Sequence, residues 1–172
     1  MKKLTKIVTA ALLLALFVTS LSACALLNKP AGDDPSNPDY FLYENNDDGS
    51  LTVIGLTEKG KARTTLTIPA TANGKSVTVL GNGEAVFAGA SSLESVTVND
   101  TVAYISAGAF DNCPSLKTVV LNTDPTKTST HETDLLLGVS DSLRFSAKST
   151  YLTSFATDYY WSPYTARFDF TE

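Results

Sequence analysis

Short runs of alternating apolar and polar residues dominate this chain, and one such run is written twice, 23 positions apart. Phe87, Ser92, Leu93, Val96 and Asn99 recur as Phe110, Ser115, Leu116, Val119 and Asn122, with Val98 answered by Leu121 and the small Ala90 by Cys113. Alternation of this kind predicts half-buried strands, and a fixed period predicts a repeat architecture whose units bury their apolar faces against one another. Leu93, Val96, Val98 and their partners then point inward, and Phe87 stacks on Phe110. Upstream, Tyr40-Phe41-Leu42-Tyr43 and Leu51-Thr52-Val53-Ile54 flank an Asp-Gly turn and predict a hairpin. Leu66 to Ile68, Val77 to Leu80 and Val102 to Ile105 read as further strands. Ala85–Ala90 and Gly108–Cys113 have room for one helical turn each. Downstream, Leu143-Arg144-Phe145 resumes the strand pattern, and Ser149 is expected to cap a helix reaching about Thr157. Ala166, Phe168 and Phe170 alternate into a last strand. Pro125–Asp134 is polar, aperiodic and rich in threonine, so it reads as an insertion loop.

The first 23 residues do not belong to that fold. Lys2, Lys3 and Lys6 precede an apolar stretch from Ile7 to Val18, and Leu21-Ser22-Ala23 leads into Cys24. This is the layout of a secretory signal, and its ending resembles the bacterial lipobox, in which the cysteine is diacylated and heads the mature protein. Ile7 to Leu27 also runs 21 residues without a charge, long enough to span a bilayer as an uncleaved anchor. Residues 24–39, rich in proline and acids, read as a lipidated flexible tether, and residues 40–172 as a single domain. Removal of the leader leaves 149 of the 172 residues, and takes the 13 basic side chains to 10 against 18 acids, a net charge of −8. That balance excludes nucleic acid and anionic lipid headgroups as ligands, since both demand a basic footprint. With lipid on Cys24, Cys113 is the one thiol left, and no intramolecular disulfide is open to the chain.

Ile68-Pro69, Val77-x-x-Leu80-Gly81, Ala85-Val86-Phe87 and Ser92-Leu93-x-x-Val96-x-Val98 together resemble the leucine-rich repeat of the BspA type. The second copy, through Val102, Ile105, Ala109-Phe110, Cys113, Leu116, Val119 and Leu121, resembles it more closely. Leu143-Arg-Phe145, Tyr151, Trp161 and Tyr164 are similar to that family's C-terminal cap. The resemblance covers about residues 40 to 170, with Asn99 and Asn122 where the family has proline. It implies a mainly β protein with short helical turns: a right-handed leucine-rich-repeat solenoid with an N-terminal β-hairpin cap and a C-terminal helix/strand cap. It further implies a bacterial surface protein engaged in adhesion or protein–protein contact, without a shared active site or cofactor.

Candidate chemistry is sparse. His131 stands alone in the polar loop, without the Cys/His cluster that a metal site needs. Gly-x-Ser-x-Gly, Gly-x-x-x-x-Gly-Lys and His-Glu-x-x-His are absent. Asp47 and Asp48 lack the spacing and the bidentate Glu of a calcium loop and read as turn residues. Cys113 is expected to be buried beside Phe110, a small hydrophobe rather than a reactive thiol. The expectation is a non-enzymatic protein without metal or cofactor, held by lipid at Cys24 to the bacterial cell membrane and exposed at the cell surface. Its partner is expected to be an extracellular protein. Period-two alternation places Thr67, Thr97, Val120 and Arg144 in one outward row, either a binding surface or ordinary solvated sheet. The alternative is a carbohydrate-binding lipoprotein that uses Tyr159, Tyr160, Trp161 and Tyr164, residues that could equally seal the end of the core.

Overall fold

The structure, a computed structural model, describes residues 34–124 and 139–172. The leader, Cys24, most of the tether and the loop carrying His131 lie outside them. The chain divides between Asp34 and Pro35, and everything below concerns the second unit, Pro35–Glu172. Strands β1 (Phe41–Asn45) and β2 (Leu51–Leu56) form the expected antiparallel hairpin, with a bulge between Leu42 and Tyr43. In its turn the Ser50 amide and hydroxyl both donate to Asp48 Oδ1, at 2.9 and 2.6 Å, and these bonds hold the Asp48 carboxyl below its ordinary range. That oxygen is thereby spent on the turn.

A four-residue helix, α1 (Glu58–Lys61), follows and then β3 (Thr65–Thr67), β4 (Thr71–Ala72) and β5 (Lys75–Leu80). Asn73 and Gly74, at φ of 52° and 74°, make the two-residue turn between β4 and β5, the conformation that suits the twist of a tight hairpin. The repeated stretches contribute β6 (Ser95–Val98) and β8 (Thr118–Leu121), with β7 (Tyr104–Ile105) between them. After the undescribed loop come β9 (Arg144–Lys148), a 3-10 turn over Ser149–Tyr151, α2 (Leu152–Thr157), a second 3-10 segment over Ser162–Arg167, and β10 (Phe168–Thr171). Ser149 is the first residue of its turn rather than the cap, and no side chain caps that turn.

These strands assemble into two five-stranded sheets. One is mixed, in the order β1-β2-β5-β4 with β7 also on β5; the other is parallel throughout, in the order β10-β9-β8-β6-β3. This corrects the expected right-handed leucine-rich-repeat solenoid with its two caps. The hairpin is no separate cap, because β2 pairs in parallel with β5 and so belongs to the mixed sheet. The C-terminal strand likewise becomes the outermost member of the parallel sheet. The physical reason is that the 23-residue echo occurs only twice. Before Ala85 only β3 joins the parallel sheet, on β6, while β1/β2 and β4/β5 pair antiparallel in the other sheet.

Within the echo, the two copies meet in register: Ser95 to Val98 pair with Thr118 to Leu121. Phe87 and Phe110, both fully buried, stack with centroids 5.6 Å apart at an interplanar angle of 11°. Leu93, Val96, Val98, Leu116, Val119 and Leu121 are all at 0% exposure, so one apolar layer is shared by both copies.

The N-terminal segment is stitched to the unit more tightly than its composition suggests. The Pro35 carbonyl accepts from Thr67 N at 2.9 Å, which satisfies a donor on the edge strand β3, and the Tyr40 carbonyl accepts from Thr57 N at 3.0 Å. Pro35–Asp39, read from the sequence as tether, therefore pack as part of the folded unit. The close approach depends on Gly60, whose Cβ, if present, would lie 2.1 Å from the Tyr40 carbonyl oxygen. Gly60→Ala should push α1 off the Pro38–Tyr40 turn and cost about 1–3 kcal/mol or more, as overpacking against backbone does. A urea titration would show it, and a midpoint unchanged from wild type would refute that packing.

Candidate functional site

In the parallel sheet, residues that alternate with the buried ones form registered rows on the other face. Thr67 pairs with Thr97, Thr97 with Val120, Val120 with Ser146 and Ser146 with Asp169. Thr65, Ser95, Thr118 and Arg144 form the neighbouring row. Three of the four expected row residues thus come together, at half-exposure. Arg144 does not join them; it stands opposite Thr118. The displacement has a simple origin. Phe145, not Leu143, pairs with Val119, so the inward pair of β9 is Phe145 and Ala147, two residues later than Leu143-Arg144-Phe145 suggests, and Ser146 takes the place assigned to Arg144. Arg144 is exposed, and its Nη1 donates to the Ala166 carbonyl at 2.9 Å.

Six hydroxyls therefore stand on this face: Thr65, Thr67, Ser95, Thr97, Thr118 and Ser146. Among the described residues none of them has a hydrogen-bond partner. Strand spacing of about 4.8 Å sets their separation across the sheet. The rows hold donors, acceptors and methyl groups, without the nucleophile–base pairing that covalent catalysis requires. Beside them Lys117 Nζ and Glu94 Oε1, of the residues just before β8 and β6, pair at 2.7 Å, an exposed contact of small energetic weight. The second row was within reach of the sequence, since Thr65, Ser95 and Thr118 each lie two positions before a first-row residue.

The C-terminal aromatics separate into two groups. Trp161 is 1% exposed and lies edge-on to Phe145 at 5.6 Å, Phe155 at 5.5 Å and Phe168 at 6.0 Å. Its ring faces are occupied by the core and offer nothing to a sugar. Tyr164 is half-buried, its ring 6.5 Å from that of Phe145. Tyr159 is 75% exposed and meets the half-buried Tyr160 edge-to-face at 5.1 Å. The four residues thus do not form one platform.

Cys113 is fully buried, and its Sγ donates to the Asp111 carbonyl at 3.6 Å. Burial first, and the Asp111 charge second, push the thiol up to about 12 from an ordinary 9.0. Above pH 9 the unfolded chain releases this proton while the folded one keeps it. Stability is therefore unaffected by this thiol below pH 9 and falls as pH rises from 9 toward 12. Tyr43, pushed up to about 12 from 10.0 mainly by burial and then by Asp39, adds to the same alkaline loss. Cys113→Ala, which copies Ala90 of the first repeat, should flatten part of that loss. Urea midpoints at neutral and strongly alkaline pH test this, and an equal alkaline drop in both proteins would contradict it.

His131 and Cys24 fall outside the described residues. Among the described residues no cluster of three or more His, Cys, Asp or Glu is placed to hold a metal ion, and no helix is long and apolar enough to cross a membrane. No family model matches the chain, and no curated protein matches it. Among solved structures, the chain is similar to a leucine-rich cell surface protein from Faecalibacterium prausnitzii A2-165. Identity is 22% and the TM-score 0.42, over 73% of this chain and 42% of that one. This chain thus spans less than half the length of that protein.

Proposed function

We propose that this protein is a non-enzymatic interaction module, lipid-anchored through Cys24 at the outer face of a bacterial membrane, that contacts an extracellular protein through the parallel sheet. The observation that carries this reading is the registered face of six hydroxyls without internal partners, flanked by Arg144. A surface with unspent donors and acceptors and one aliphatic residue suits contact with polypeptide. The test is binding to purified extracellular-matrix proteins by wild type and by Thr97→Glu/Arg144→Glu. Retention of every partner by a folded double variant would overturn it.

The anchor is tested separately. The small residues before Cys24 support diacylation there, and acyl chains add about 0.8 kcal/mol of membrane affinity per buried methylene. Metabolic labelling with a fatty acid should mark wild type and leave Cys24→Ala unmarked. Equal labelling would remove the anchor from the proposal.

A further inference from the structure

A second surface feature lies at the mixed sheet and draws on none of the residues of the hydroxyl rows. Pro38 and Asp39 of the first 3-10 turn, Phe41 and Tyr43 of β1, Thr57 to Lys59 at the start of α1, and the turn residue Asn73 line one open cleft of about 510 Å³. That volume lies within the range of small-ligand sites.

Its walls are fixed to each other. Thr57 N donates to the Tyr40 carbonyl at 3.0 Å and Thr57 Oγ1 to the Asp39 carbonyl at 2.8 Å, while Gly60 packs directly on the same Tyr40 carbonyl. Tyr43 OH donates to the Pro38 carbonyl at 3.2 Å, which ties β1 to the 3-10 turn. A site prepared in this way loses little conformational freedom on binding.

The lining has two components. Tyr43, half-exposed, presents the aromatic component, with Phe41 almost fully buried at 3% behind it. Around them the exposed side chains of Asp39, Lys59 and Asn73 have no hydrogen-bond partner among the described residues, whereas Glu58 is held by Lys61 at 2.8 Å. Burial first and the Asp39 charge second push the Tyr43 phenol up to about 12. Tyr43 accordingly stays a neutral hydroxyl throughout the physiological range.

Charge selects the ligand. With Glu58 neutralised by Lys61, Asp39 and Lys59 cancel, so the cleft carries no net charge to attract an ion. A carboxylate, an ammonium and an amide beside an aromatic ring instead match vicinal hydroxyls and a C–H face. We infer that this cleft is a binding site for an uncharged saccharide, with Tyr43 as the stacking surface and Asp39, Lys59 and Asn73 as partners for ligand hydroxyls.

The experiment uses the full-length protein in a sugar-free detergent and a panel of neutral mono- and disaccharides: glucose, galactose, mannose, N-acetylglucosamine, lactose and cellobiose. Saturation-transfer NMR reads binding, with glucuronic and sialic acids as charged comparators. At least one neutral sugar should bind at millimolar concentration. Asp39→Asn and Lys59→Ala, both exposed substitutions, should each weaken it about tenfold, the loss of one hydrogen bond to a charged group. Tyr43→Ala should abolish binding, and Tyr159→Ala should leave it intact. If Tyr43→Ala unfolds, the Asp39 and Lys59 variants decide alone. Failure of every neutral sugar to bind, preference for the acidic sugars, or affinity indifferent to Asp39→Asn overturns the assignment. Because no residue of the hydroxyl rows is involved, the outcome is independent of the protein-contact proposal.

Discussion

Phe110→Ala is expected to destabilise the folded unit by about 3–5 kcal/mol, the range for removing a buried aromatic ring. Phe110 is at 0% exposure and stacks on Phe87 at 5.6 Å, so truncation opens a cavity and strands the facing ring. Stacked aromatic pairs contribute about 0.5–1.5 kcal/mol beyond their area. The loss should therefore lie nearer the upper end of the range. Phe87→Ala should cost a similar amount, and the double variant should cost less than the two losses combined, because each single change already destroys the stack. Phe110→Leu keeps much of the volume and should be distinctly milder. For a unit of this size the alanine variant should melt roughly 10–15 °C lower. A thermal melt that overlays wild type would mean that the two copies do not share a core.

That shared core is the part of the fold most legible from the amino-acid sequence. A period of 23 residues names which positions meet, so the pairing of Val96 with Val119 and the burial of Cys113 opposite Ala90 need no structure to anticipate. The hairpin of β1 and β2 is equally local, because its turn chemistry and alternation lie within a few residues. Pairings set by distant partners were not legible. Strand β2 accepts β5 as a parallel neighbour, and β5 in turn carries β4 and β7, an arrangement that no periodicity encodes. That arrangement is why two sheets stand where a solenoid was expected. Helix α1 was hidden for a related reason. It holds only four residues and includes Gly60, a poor helix former whose value is its approach to the Tyr40 carbonyl. The candidate sites divide in the same way. Thr67, Thr97 and Val120 align because alternation is strict through β3, β6 and β8. Arg144 misses the row because Phe145 and Ala147, not Leu143 and Phe145, are the inward pair of β9, a two-residue shift visible only once β9 is paired with β8. The cleft beside Tyr43 draws on the 3-10 turn, β1, α1 and the Asn73 turn, and so has no sequence signature at all.

Trp161→Ala is expected to cost a comparable 3–5 kcal/mol, and its companions assign the role of the residue. Trp161 contacts Phe145, Phe155 and Phe168, which come from β9, α2 and β10, so its removal loosens three elements at once. Its indole Nε1 is buried without a hydrogen-bond partner among the described residues. An unsatisfied buried donor costs about 1–3 kcal/mol in its own right. Trp161→Phe removes that penalty while giving up some volume, so the two effects oppose each other and the net loss should stay below about 1.5 kcal/mol. Tyr159→Ala, at a ring 75% exposed, should move stability by no more than about 0.5 kcal/mol. Urea titrations of the three variants give the ordering Trp161→Ala far below Trp161→Phe, with Tyr159→Ala close to wild type. A residue presented to a ligand would reverse this ordering, with Trp161→Ala stable and glycan binding lost. That result would return Trp161 from the core to the surface.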